Sequence, residues 1–174
     1  MAFQVDGAAQ VRTGIRGQVA IKGTLGGTYD PSTQRFTGAF SLVPTRAHVT
    51  ALGIPVVAET DWIFTEPVSG SWRDGVMKLH VAARIRHPRL LAFGSVLVAG
   101  GGKCATRRPS VIDLQSDAAS PVTDPFAAAT LTTTGSGFAI SPLAGCGILD
   151  GLLSAVAAGS GNHANVRLTP LPAT

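Results

Sequence analysis

Apolar and polar positions alternate with a period of two along most of the chain. In Val19-Ala20-Ile21-Lys22-Gly23-Thr24-Leu25, Val19, Ile21 and Leu25 point one way and Ala20, Lys22 and Thr24 the other. That is the period of a half-buried strand. Tyr29-Asp30-Pro31-Ser32-Thr33-Gln34 then supplies turn chemistry, and Arg35–Leu42 returns with Phe36, Phe40 and Leu42 on one face. Together they predict a hairpin.

The pattern continues in short pieces. Residues 1–17 predict a loose first strand, and 47–51 and 56–64 two more, split by Gly53-Ile54-Pro55. Glu66-Pro67-Val68-Ser69-Gly70 reads as a turn. Val76–His87 is the strongest strand: Leu79, Val81, Ala83 and Ile85 face one side, and Lys78, His80, Arg84 and Arg86 the other. Residues 90–98 predict one further strand, 111–114 a short one, 116–124 a loop, and 127–140 a long Thr-rich strand bent at Gly135 and Gly137. Ile148, Leu149, Leu152, Leu153 and Val156 switch to helical spacing, so a helix is expected over 147–158, stopped by Gly159. A closing strand is expected over 164–169. The expectation is one all-β domain over 1–174: an antiparallel β-sandwich or partly open barrel of eight to ten strands with one short C-terminal helix.

Composition narrows this. Charged residues are only 14% and hydrophobic ones 45% of the chain, against about 25% charged in an average soluble domain. No apolar run reaches the ~18 residues of a membrane-spanning helix. Met1–Asp6 has neither the charged nor the apolar region of a leader, so an exported chain is expected here as its mature form with an added start Met. The apolar surplus could line an internal cavity, fill a tight core, or be buried between copies in a homo-oligomer.

Charge is local. Residues 71–110 hold eight basic side chains (Arg73, Lys78, Arg84, Arg86, Arg89, Lys103, Arg107, Arg108) and one acid, Asp74. Lys78, His80, Arg84 and Arg86 share a strand face, with Arg89, Arg107 and Arg108 nearby in sequence. Arginine forks suit phosphate and carboxylate groups, so this strip is the candidate contact for an anionic partner; a solvated sheet face is the plainer reading. Few aromatics interleave with it, which disfavours nucleic acid, and Trp62 and Trp72 read as core or strand-edge residues.

Reactive constellations fail in detail. Gly100-Gly101-Gly102-Lys103 lacks the spaced first glycine and the following Ser/Thr of a phosphate loop. No Gly-x-Ser-x-Gly elbow is present. Glu59 and Asp61 are expected on opposite faces of 56–64, which argues against a paired-carboxylate hydrolase. His48, His80, His87 and His163 lack zinc-ligand spacing. No cofactor or metal is expected.

Cys104 and Cys146 are the only cysteines. They form a disulfide if the fold brings their Cα atoms within roughly 6 Å, implying an oxidising compartment; otherwise they are buried thiols. Cys104-Ala105-Thr106, Pro109, Val111–Ser116, then Gly145-Cys146-Gly147, Leu152-Leu153 and Gly159-Ser160-Gly161-Asn162 resemble a pattern in secreted cell-envelope proteins of actinobacteria. The resemblance covers mainly 94–169 and implies an exported all-β protein with no assigned reaction.

The expectation for function is a non-enzymatic extracytoplasmic protein of the cell envelope or surface, acting by binding or assembly through its basic face. Its partner would be an anionic envelope component, a lipid or an acidic protein. A carrier of a lipid or other apolar ligand is the alternative, and a hydrolase the third reading.

Overall fold

The computed structural model describes residues 1–172 and is almost entirely β. Its strands are β1 (Ala2–Arg12), β2 (Ile15–Asp30), β3 (Arg35–Leu42), β4 (Thr45–Ala51), β5 (Ile54–Phe64), β6 (Val68–Arg73), β7 (Val76–Arg86), β8 (Arg89–Ala92), β9 (Val96–Gly100), β10 (Ala105–Thr106), β11 (Ser110–Ser116), β12 (Ala129–Thr133), β13 (Phe138–Ile140) and β14 (Leu143–Ala144). The helix α1 (Asp150–Ala157) and β15 (Gly159–Pro170) complete the chain.

Eight strands close on themselves in the order β1-β15-β12-β11-β7-β6-β3-β2, with β2 pairing back to β1. All these pairs are antiparallel. The barrel is therefore closed, not partly open, and closure removes the exposed edges that a sandwich would leave. Inward rows are apolar: Phe3, Val5, Leu25, Val68, Leu131 and Leu168 are fully or almost fully buried. Outward rows carry Gln4, Asp6, Gln10, Lys22, Lys78, Asn165 and Arg167, the reverse of a barrel whose outer band meets lipid. Among the described residues no helix is long and apolar enough to cross a membrane.

The wall between β2 and β7 forks. Towards the end that holds the β2–β3 and β6–β7 turns, β3 and β6 bridge them. Towards the opposite end, β4 and β5 do so, through Ile15–Gly17 against Val49–Ala51 and Asp61–Phe64 against Ala83–Arg86. The hairpin β8–β9 adds to β5 there. The two ends are called the turn end and the α1 end below.

Several sequence expectations shift. Val68–Gly70, read as turn, is the start of β6: it pairs with both β3 and β7, and Val68 is buried. Residues 90–98 are two strands with a reversal at Phe93–Ser95. Residues 127–140 are also two, β12 and β13, parted at Thr134–Gly137, where Gly135 and Gly137 have φ of 59° and 81°. The loose first strand is a regular hairpin of β1 and β2.

Cys104 and Cys146 form a disulfide, their Cα atoms 4.3 Å apart. It joins β10 to the segment before α1. Asp150 begins the helix and turns back to accept from the backbone N–H groups of Gly145 (3.0 Å) and Cys146 (2.6 Å). Ser154 Oγ donates to the Leu143 carbonyl at 2.9 Å. Fully buried Asn162 finishes the bracing: its Oδ1 accepts from Arg12 N, and its Nδ2 donates to the carbonyls of Phe138 and Gly159. A disulfide, a helix and a buried amide network thus hold the α1 end together.

Candidate functional site

Three chain reversals lie in a row at the α1 end. The β1–β2 turn passes through Thr13-Gly14, the β4–β5 turn through Leu52-Gly53, and the β8–β9 turn through Phe93-Gly94. Leu52 N donates to Gly14 O at 3.5 Å, and Phe93 N to Pro55 O at 2.9 Å. Leu52 and Phe93 both have φ of 51°, followed by glycines at 81° and 78°. Two consecutive positive φ values define the hairpin turn that favours Asn-Gly or Asp-Gly, because its twist matches the strands. A bulky apolar residue at the first position is an outlier. Neither side chain is covered: Leu52 is 68% and Phe93 69% exposed. Ile54, Val96, Leu97, Ile148 and Leu152 are exposed at the same end.

Beneath these turns the barrel is not filled. A cavity of about 100 Å³ is lined by β1, β2, β4, β5, β7, β8, β9, β13, β14 and α1, with Val49, Val56, Ala58, Phe138, Leu143 and Leu153 among its walls. Elsewhere inside the barrel the packing is tight, with pockets of about 20 and 30 Å³. Three polar side chains share the cavity wall: Thr60, Trp62 and His87. His87 Nδ1 lies 3.3 Å from the Glu59 carbonyl and 3.4 Å from Thr60 Oγ1. The carbonyl can only accept, so Nδ1 carries the ring proton and Nε2 presents a lone pair with no protein partner among the described residues. Burial holds the ring's pKa below its usual value, with the Glu59 carbonyl pulling weakly the other way, so the ring is neutral. Trp62 Nε1 is buried with no hydrogen-bond partner among the described residues.

The basic strip does not form one free surface. Lys78 is exposed, and His80 beside it sits between two acids, its Nδ1 2.7 Å from Asp113 and its Nε2 3.7 Å from Glu66. Arg84 Nε donates to the Thr106 carbonyl at 2.6 Å. Arg86 is paired with Asp61, and Arg89 lies 3.9 Å from Glu59, which also holds Arg46 at 2.8 Å. Arg107 and Arg108 are exposed and have no acid partner among the described residues. Lys78 and His80 open on a broad outer groove shared with Arg35, Arg73, Asp74 and Asp113, away from the α1 end. Glu59 and Asp61 correct the sequence reading: two residues apart, they share the outward face of β5, and arginines neutralise both.

Of the elements for nucleophilic catalysis, the Thr60–His87 and Thr133–His163 contacts come closest. Neither histidine is backed by a carboxylate, the arrangement that activates a hydroxyl. Among the described residues no cluster of three His, Cys, Asp or Glu side chains could hold a metal.

Comparison with known proteins adds no name. The chain has no significant match to a protein-family model, a curated protein or a solved structure.

The residues that distinguish this end were partly legible. Gly53 and Gly94 mark reversals, and a two-residue X-Gly between alternating strands is a hairpin signal. Leu and Phe in the X position hide that signal, because they read as continuing strand. His87 carries no such signal: in sequence it is the end of the 76–87 strand, and the cavity it lines is formed by elements far apart along the chain.

Proposed function

We propose that the protein is a non-enzymatic binding protein of the cell envelope or surface, working outside the cytoplasm through the α1 end of its barrel. On this reading the cavity takes up a compact apolar group that carries one hydrogen-bond donor. The observation behind it is the cavity itself: the one roomy interior space among the described residues lies under the apolar turns and holds a neutral histidine with a free Nε2. Its size argues against a whole lipid chain, since drug-sized ligands occupy ~300–1,000 Å³. An apolar cavity of ~150 Å³ holds a benzene-sized molecule; at about 100 Å³ this one is smaller, so a short branched group is the matching class and a single ring the upper limit. The disulfide supports an oxidising compartment.

The contact surface is accordingly moved from the outer face of β7, where acids or carbonyls engage most of the cations, to the barrel end. Titration of the folded protein with toluene and with phenol, followed by thermal shift and calorimetry, tests this. Both probes should raise Tm saturably, and phenol more, because its hydroxyl can donate to His87 Nε2. Ala58→Leu and, separately, Ala157→Leu should fill the space and abolish both responses. No saturable response in the parent protein, or an equal response in both filled variants, would remove the reading.

A further inference from the structure

We infer that the α1 end seats the protein on an anionic lipid bilayer, with Leu52 and Phe93 entering the headgroup layer and Arg12 and Arg16 lying against it. The inference rests on the reading of this end as the binding end, and it names the surface met there.

Leu52 and Phe93 occupy positions where the backbone conformation disfavours them and solvent surrounds them. Their side chains gain nothing from the fold that would offset either cost. The molecule carries its own control: Asp74-Gly75, between β6 and β7, has φ of 52° and 74° and so the same turn, with a short polar residue at its first position. A turn whose task is only to reverse the chain takes Asp or Asn there. The α1 end has instead placed a leucine and a phenylalanine at its outermost points.

The shape of the display selects the occupant. The two residues are tips of adjacent hairpins, tied side by side through Phe93 N and Pro55 O. They sit at hairpin tips, and Ile54, Val96, Leu97, Ile148 and Leu152 are also exposed at this end. A rigid partner would need a matching relief, whereas a fluid layer deforms around an uneven apolar surface. Phenylalanine and leucine are also the residue types that lie at the headgroup–acyl boundary on interfacial segments.

Charge supplies the second argument. Residues 7–29, 31–58 and 87–112, which carry all three turns, contain no Asp or Glu. Arg12 and Arg16 face each other across the first turn, both exposed and neither in an ion pair among the described residues. Asp150, the acid of α1, is spent on the backbone N–H groups of Gly145 and Cys146. Apolar points set in an acid-free, arginine-flanked surface match an anionic bilayer, where area burial and electrostatic attraction add.

Co-sedimentation with vesicles is the test, comparing pure phosphatidylcholine with a mixture containing about one-third phosphatidylglycerol. The protein should bind the mixed vesicles and release as salt rises. Leu52→Asn and Phe93→Asn should each weaken binding by roughly tenfold, the change that ~1.4 kcal/mol of lost insertion produces. Both variants should keep or raise Tm, because Asn suits the turn, so loss of binding cannot be blamed on misfolding. Arg12→Glu with Arg16→Glu should weaken binding to mixed vesicles by at least about tenfold, and Asp74→Asn should change nothing. Absent vesicle binding, or binding that the two Asn variants leave intact, overturns the inference. A concentration-dependent dimer that sediments for the parent and is lost in Phe93→Asn overturns it too, and assigns the tips to a second copy. Toluene and phenol binding is measured on the same samples. Vesicles failing while the cavity still fills would remove the bilayer and leave the binding end; failure of the cavity probes alone would remove the ligand and leave the surface.

Discussion

Asp74-Gly75 and the pair Leu52-Gly53 and Phe93-Gly94 are nearly the same backbone object built at opposite ends of one barrel. At the turn end the residues are those the conformation prefers, and the neighbouring connections are polar too: Asp30 anchors its loop by accepting from Ser32 Oγ at 2.6 Å and Thr33 Oγ1 at 2.8 Å. At the α1 end the preference is overridden twice, in adjacent hairpins, and the cavity lies directly below. Conformation is held constant while chemistry changes, so folding requirements do not explain the difference. The proposed apolar contact at the α1 end rests on that difference. It also explains why the bracing is unequal. The turn end relies on hydrogen bonds, within the Asp30 loop and from Trp72 Nε1 to the Val122 carbonyl, and on aromatic contacts such as Tyr29 against Trp72 and Phe126. The α1 end, which leaves an interior void and exposed apolar turns, has the disulfide, α1 and the Asn162 network.

The largest expected effect follows from that inequality. Replacing Cys104 and Cys146 together with Ser should cost about 4 kcal/mol on the chain-entropy model. The loss should be concentrated in β10, β14 and α1, seen as faster amide exchange there while β2–β3 and β6–β7 amides keep their relative protection. Uniform acceleration over the barrel would mean that the two ends are not braced separately. Next is Asn162→Ala, which leaves the Phe138 and Gly159 carbonyls and the Arg12 N–H without their partner. A loss of about 2–3 kcal/mol is expected, measured by urea denaturation; a change within error would show that water replaces the amide.

Exchanging turn residues between the ends probes the comparison directly. Leu52→Asn and Phe93→Asn should each stabilise by about 1 kcal/mol, because Asn tolerates the left-handed region and bulky residues do not. Asp74→Leu should destabilise by a similar amount. Opposite signs at the two ends, read as shifts in the denaturation midpoint at constant slope, support the argument. If all three substitutions move stability the same way, tertiary contacts rather than turn conformation set these residues.

How far the sequence carried this picture depended on the element. Wherever one face of a strand is buried, the period-two pattern shows it: β2, β3 and β7 were read with the correct inward residues. Closure of the barrel was not readable, because it depends on β1 pairing with both β2 and β15, and no local pattern records a partner 160 residues away. The break at Phe93 is hidden because hydrophobicity persists through it, and the one at Thr134–Gly137 reads from sequence as a bend within one strand. The seven-residue basic strip is a pattern in sequence, but the structure pairs several of its members with acids or a carbonyl. Sequence shows that Arg86 points outward, but not that Asp61 of β5 waits opposite it. The cavity and His87 were invisible for the same reason: a void is a property of how distant elements fail to meet.

Acid titration offers the smallest effect and a separation of the ends by pH. His87 has a lowered pKa in the folded protein, through burial, relative to 6.5. Below pH 6.5 the unfolded chain therefore binds the proton more readily than the folded one, and stability falls as pH drops from there. The contribution is complete above pH 6.5. Asp30 is lowered to about 2 from 3.8, first by the Ser32 and then by the Thr33 side-chain hydrogen bonds. Its contribution is present above pH 3.8 and fades between there and about 2. The α1 end should thus weaken first on acidification and the Asp30 loop only later. His87→Phe should flatten the decline in Tm between neutral pH and about pH 5 while leaving the steeper fall below pH 4 in place. Asp30→Asn should do the reverse. Identical pH profiles for His87→Phe and the parent would mean that the ring is not held neutral by the cavity, and the free Nε2 on which ligand capture depends would lose its support.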